Sequence, residues 1–228
     1  MKKLLYKDIL LCMPPQVPMF FAFAFMLLIP SYPYLVAGFF ICNAIFYSFV
    51  TASMENDVLF SLLLPVSKAQ IVRGKMVFVE TIQLISLVFF SGAAALNFAI
   101  HQNKGNSAGV DASLTLIGAF LVLFSIFNLS YIPKFYKAPH KAGKIFLISA
   151  VCMFAFIFVF EGFMIAAGAA AENVPFFAWI KANLDTFPTT SSAWVSQAVF
   201  FVVCVIIYIV SGIVCRRRAE EAFDKAEI

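Results

Sequence analysis

Apolar residues run along this chain in long, nearly unbroken stretches rather than in the alternation of a strand or the narrow stripe of a surface helix. Six stretches stand out, at about 14–30, 33–53, 76–100, 113–133, 145–171 and 193–214. Each approaches the ~20 residues that carry an α-helix across the ~30 Å hydrocarbon core of a bilayer. Backbone groups in lipid must be satisfied inside each segment. The pattern predicts an all-α polytopic membrane protein, with six transmembrane helices in one transmembrane domain over residues 1–228. The first stretch is the weakest, because Pro14, Pro15 and Pro18 crowd its start, where proline suits the first helical turn better than the middle.

The polar segments differ in character. MKKLLYKD opens the chain with bases, which raises a cleaved signal peptide as one reading, but no small-residue cleavage pattern follows and a second apolar run begins almost at once. A short interfacial helix over Met1 to Cys12 fits better: Leu4, Leu5, Ile9 and Cys12 share a face, and Lys2, Lys3 and Lys7 reach headgroups. PSY is only long enough to turn an antiparallel hairpin between the first two spans, HQNKGNSAGVDA reads as an exposed loop, and KFYKAPHKAGK as a basic turn. In ENVPFFAWIKANLDTFPTTSS, the part VPFFAWIKANL is too short to span yet carries Phe176, Phe177, Trp179 and Ile180, which suits a helix lying at the interface. It serves either as an aromatic anchor or as part of a transport path.

The segment MENDVLFSLLLPVSKAQIVRGK, Met54 to Lys75, gathers acids, a proline and bases between two apolar runs. Ser53 is placed to cap a short helix whose first turn holds Glu55, Asn56 and Asp57, where acids favour the positive end of the helix dipole. VLFSLLL supplies its apolar body, with Phe60 and Leu63, and Pro65 ends it. Ser67 and Gln70 then have the spacing of a capping box for a helix that continues into the third span. Such a helix is either a flat membrane anchor or a docking surface for a partner protein.

Composition agrees with the membrane reading: 63% of residues are hydrophobic, 12% are charged, and 29 are phenylalanine. Six spans place both termini on one side, and that side holds all but Lys104 and Lys181 of the 16 Lys and Arg residues. The positive-inside rule puts it in the cytoplasm. Bases spread over four juxtamembrane sites fit topology and anionic lipid, and make a nucleic-acid partner unnecessary. The cysteines, Cys12, Cys42, Cys152, Cys204 and Cys215, fall in spans or on the basic side and, with His101 and His140, show no metal-ligand spacing.

Few polar residues lie inside the spans. Asn43, Gln83, Asn97 and Asn128 suit hydrogen bonds across helices. Glu161 is the one acid well inside a span, a candidate for a translocation path where it meets the basic face of an amphipathic substrate. The competing role is a protonated side chain bonded to a neighbouring helix. Gly162, Ala166 and Ala170, four apart, form a stripe suited to tight helix packing.

ENDVLFSLLLPVSKAQIVRGK, with the N-terminal MKKLLYKD and the six spans, resembles the short bacterial permeases of the ABC-2 type transporter family, and more narrowly the permease subunits that export phenol-soluble modulins and other amphipathic peptides. The resemblance implies that the loop is a coupling helix docking on an ABC ATPase subunit, with Glu55, Asn56, Asp57, Phe60, Leu63 and Pro65 at the contact, and that the Phe176, Phe177 and Trp179 segment partly caps the path. It also implies two permeases, identical or similar, with two ATPases that bind ATP and Mg. No G-x-x-x-x-G-K-[ST], G-x-S-x-G or H-E-x-x-H occurs, so the chain is expected to be a non-catalytic subunit. RRRAEEAFDK reads as a solvated helix end. A membrane scaffold or a secondary transporter is the alternative function, although the latter calls for several intramembrane ionisable groups or matched broken helices.

Overall fold

The computed structural model describes residues 16–55, 57–63, 65–101, 106 and 108–225. The expected helix over Met1 to Cys12 lies outside these, as do Asn56 and Lys104. The described residues open with α1 (Gln16–Phe20), which tightens into a 3₁₀ segment, Phe21–Leu28. There follow α2 (Leu35–Met54), the short α3 (Asp57–Leu62), α4 (Lys68–His101), α5 (Leu114–Lys137) and α6 (Ala142–Ala170). α7 (Pro175–Ile180) runs into a π-helical turn, Lys181–Asp185, and α8 (Ser191–Asp224) ends the fold.

Five of these helices, α2, α4, α5, α6 and α8, are long and apolar enough to cross a membrane, and Val17–Leu28 is a shorter apolar segment. The all-α polytopic architecture is as the hydropathy pattern predicts. Among the described residues, the helical part of the first stretch, 16–28, falls short of a full span. Its 3₁₀ part rises about 2 Å per residue against ~1.5 Å in an α-helix, so five α-helical and eight 3₁₀ residues reach about 24 Å rather than ~20 Å.

α5 is the central helix, with most of its length buried. α2, α5 and α8 run in one direction and α4 and α6 in the other. The α5–α8 contact is the most extensive and is closest at Gly118, where an added Cβ would lie 3.1 Å from the Phe200 ring and 3.2 Å from Cys204 Sγ. Gly38 of α2 meets α5 in the same way, with Phe120 at 2.7 Å and Leu123 at 2.8 Å from the missing Cβ. Without a hydrophobic drive between helices in lipid, close backbone approach at such glycines is a principal source of packing energy. Around Tyr131, rings from α2, α5 and α6 interlock, including Phe46, Phe49 and Phe146.

A polar clamp joins α4, α5 and α8. Gln83 Nε2 donates to Asn128 Oδ1 at 2.9 Å, Asn128 Nδ2 donates to Gln83 Oε1 at 3.1 Å, and Tyr208 OH donates to the same Gln83 oxygen at 2.7 Å. Asn97 plays a comparable part at the 3₁₀ segment, donating to Leu27 O at 2.5 Å. These amides thus bond across helices, as expected of them.

Two expectations are corrected. Gly162 has open space where a Cβ would stand and Ala166 is exposed, because α6 packs through Met153, Ile157, Glu161, Met164 and Ala167; the small-residue stripe faces away from the bundle. The loop before α5 is not exposed along its described length, since Gly109 and Val110 are buried. Asn106 holds it in, donating from its backbone to Asp111 and from Nδ2 to Tyr32 O at 2.8 Å.

Candidate functional site

Among the described residues, the bases within 68–75, 134–144 and 216–225 sit toward the ends of helices on one side of the bundle, and there the loop from α2 to α4 emerges. α2 continues through Met54, so Ser53 lies within it and its hydroxyl donates to Phe49 O at 3.0 Å, four residues back. That corrects its expected capping role: a serine inside a helix bonds back to the preceding turn. Glu55 forms the turn, exposed, with its N–H on Thr51 O. Asp57 starts α3, half-buried and in the first turn as predicted. Phe60 is 52% exposed and Leu63 86%, while Ser61 on the opposite face is fully buried. α3 ends at Leu62 ahead of the exposed Pro65.

The capping box forms as the spacing predicts. Gln70 N–H donates to Ser67 Oγ at 3.3 Å and Ser67 N–H donates to Gln70 Oε1 at 3.1 Å. Two orphan N–H groups at the start of α4 are thereby satisfied, which fixes where the loop stops and the helix begins. α4 then runs without a break for 34 residues. Only residues 63–67 separate α3 from this continuous helix.

The first turns of α4 are fastened to the last turns of α8, a contact that reading the tail as a solvated helix end missed. Arg73 Nε donates to Glu220 Oε1 at 2.8 Å. Lys68 Nζ donates to Phe223 O at 3.2 Å and lies 5.3 Å from the centre of the Phe223 ring. Phe223 is itself buried, 5.1 Å from the ring of Tyr136 on α5. One turn deeper Cys215 Sγ donates to Asn128 O at 3.1 Å, and Arg216 stands 3.7 Å from Glu80. The signal was present in the sequence: Cys215, Ala219 and Phe223 are four apart and share one face, although three arginines and two glutamates mask it.

The opposite end is closed by a second constellation. Glu161, 5% exposed, accepts at Oε1 from Leu35 N–H at 3.0 Å, the first residue of α2. A carboxylate there meets the positive end of the helix dipole and fills an otherwise empty capping site. Gly109, with φ at +157°, lies over the carboxyl, and a Cβ on it would come within 3.1 Å of Glu161 Cδ. Nearby, Asp111 N–H donates to Asp185 Oδ1 at 3.3 Å, tying the loop before α5 to the π-helical turn. In α7 the side chains divide as an interfacial helix requires: Phe176 and Trp179 are exposed, Phe177 is half-buried against Phe163, and Ile180 is buried. Among the described residues no group of three or more His, Cys, Asp or Glu side chains is placed to hold a metal ion.

Comparison with curated proteins and with solved structures yields no match. The family described as ABC-2 family transporter protein matches residues 3–218, nearly the whole chain. Members of this family are the membrane-spanning component of transporters whose partner is an ABC ATPase, and this chain, with its five long apolar helices and its loop between α2 and α4, belongs to the ABC-2 transporter family.

Proposed function

We propose that this permease is the membrane subunit of an ATP-driven exporter, and that α3 is the element by which it grips its ATPase. The observation that carries this reading is the exposure of Phe60 on α3 and of Leu63 just after it, 52% and 86%, in a loop whose exit is locked by a capping box to a membrane-long helix. Buried apolar anchors supply most of the affinity of an interface, while charges at the rim steer and orient. Phe60 and Leu63 are the anchors; Glu55 and Asp57, with Asn56 between them in sequence, supply the rim. The bases at this end favour the cytoplasm for it, with both termini inside and the protein in the cell membrane. ATP and Mg are bound by the ATPase, in an assembly of two ATPases and two permeases, identical or similar.

For the cargo we favour amphipathic peptides or other lipid-like compounds. The resemblance of the inner loop suggests them, and an apolar recess of about 380 Å³ lined by Met19, Phe20, Ala22 and Phe23 suits an apolar face better than an ion. Glu161 stands at the opposite end of the bundle from the bases, beneath the closure, as a carboxylate such a cargo would meet on leaving the spans.

The test is co-purification with a co-expressed ABC ATPase subunit, together with ATPase activity in nanodiscs. Phe60→Ala and Leu63→Ala are expected to reduce the recovered ATPase about tenfold or more, the loss of ~1.4 kcal/mol or more at a buried anchor. Asp57→Asn should change it by less than about threefold. Unchanged recovery in all three variants would make α3 a membrane anchor.

A further inference from the structure

From the contacts that fasten the tail of α8 to the start of α4, we infer that residues 215–224 are a brace that carries the displacement of the ATPase-docking loop to α8, with Arg73, Glu220 and Phe223 as its positioning residues. The inference rests on the docking role proposed above for α3.

Length places the brace outside the hydrocarbon. α4 and α8 each have 34 residues. At ~1.5 Å per residue each is about 51 Å long, some 20 Å more than the hydrocarbon core. The surplus on α8 is the charged stretch after Cys215, and on α4 the turns around Lys68, Arg73 and Lys75. Here water drives apolar burial again, and Ala219 and Phe223 are fully buried against α4 and α5.

The division of labour follows from exposure. The side chains of Arg73 and Glu220 are 49% and 20% exposed, so the pair adds little to stability and serves to set register. Phe223 provides the holding contact, with the Lys68 ammonium over its ring and on its carbonyl. Lys68 is the first residue of α4, directly after the capping box, so the brace grips α4 where load from α3 arrives. Load entering there meets α8 before it meets any deeper contact. Farther along, Gln83, Asn128 and Tyr208 bind the same helices, so α4, α5 and α8 turn as one body, while α2 and α6 meet α5 chiefly through rings.

The test uses the permease with its ATPase in nanodiscs, with Cys12 and Cys152 replaced and spin labels in two pairs. Ser192 against Val159 reports the far end of α8 relative to α6, and Met54 against Val151 reports the loop; all four positions are exposed. A non-hydrolysed ATP analogue with Mg²⁺ is expected to shift both distances. Arg73→Glu and Glu220→Arg should each cut the Ser192–Val159 shift at least twofold and leave the Met54–Val151 shift and the bound ATPase unchanged. The double exchange, which restores the pair with reversed charges, should restore the shift; a role in folding alone would not couple the two sites to nucleotide. Phe223→Ala should abolish the shift. A loop that moves without α8 in the unsubstituted protein, a loop that stays still with ATPase bound, or a full α8 shift in all the variants overturns the brace. Loss of the ATPase from the unsubstituted protein would instead overturn the docking role.

Discussion

At the scale of single residues, burial of acids at the end opposite the bases sets a dependence on pH. Burial pushes the Asp185 carboxyl up to about 7, the charge of Asp111 adds to the rise, and the Asp111 N–H and Lys181 oppose it. Asp111 is raised as well, again by burial first. A carboxyl whose folded pKa exceeds its unfolded value near ~3.9 holds a proton that the unfolded chain releases. Its contribution to stability is therefore complete below about pH 4 and is lost as pH rises through about 7. Backbone amides of 108–113 should exchange several-fold faster at pH 8 than at pH 5.5 after correction for intrinsic rate. Asp185→Asn keeps the acceptor for Asp111 N–H and should flatten the dependence; an unaltered dependence would assign it to other groups. Little of this closure is legible in the sequence, because Glu161 and Leu35 are 126 residues apart and no local pattern pairs them.

At the scale of elements, the legible features are those whose cause is local. The capping box at Ser67 and Gln70, the break before Pro65 and the short helix at Pro175 all follow from residues within one turn of themselves. Ser53 misled because a serine near an acidic turn reads as a cap until the preceding helix is known to reach Met54. The clamp of Gln83, Asn128 and Tyr208 was legible only as polar residues at span depth, without their partners. Its pairing makes a testable claim. Asn128→Leu leaves Gln83 Nε2 without its acceptor and removes one of the two donors to Gln83 Oε1, a loss of about 1–3 kcal/mol. The Tm of the purified permease should fall by about 4 °C or more. Adding Gln83→Leu should recover part of it, since removing both partners leaves fewer orphaned groups; equal or greater loss in the double variant would show that the two amides act independently.

At the scale of the whole molecule, the two ends of the bundle are built for different tasks. One is closed by carboxylates capping helix and loop N–H groups, with the aromatic α7 beside them. The other presents exposed apolar side chains on α3 and just after it, next to the contact that joins α4 to α8. The span pattern and the basic asymmetry were legible because hydrocarbon thickness and surface charge act on every residue of a segment at once. The parallel pairing of α5 with α8 was not, since it depends on Gly118 meeting Phe200 and Cys204 across 82 or more residues. The central claim is that α3 faces a protein. A photoreactive benzophenone side chain placed at Leu63, and as a control at the exposed Val202 of α8, tests it in membranes containing the partner ABC ATPase. The account predicts an adduct of permease and ATPase from position 63 and none from 202. Adducts with lipid alone at both positions would contradict it.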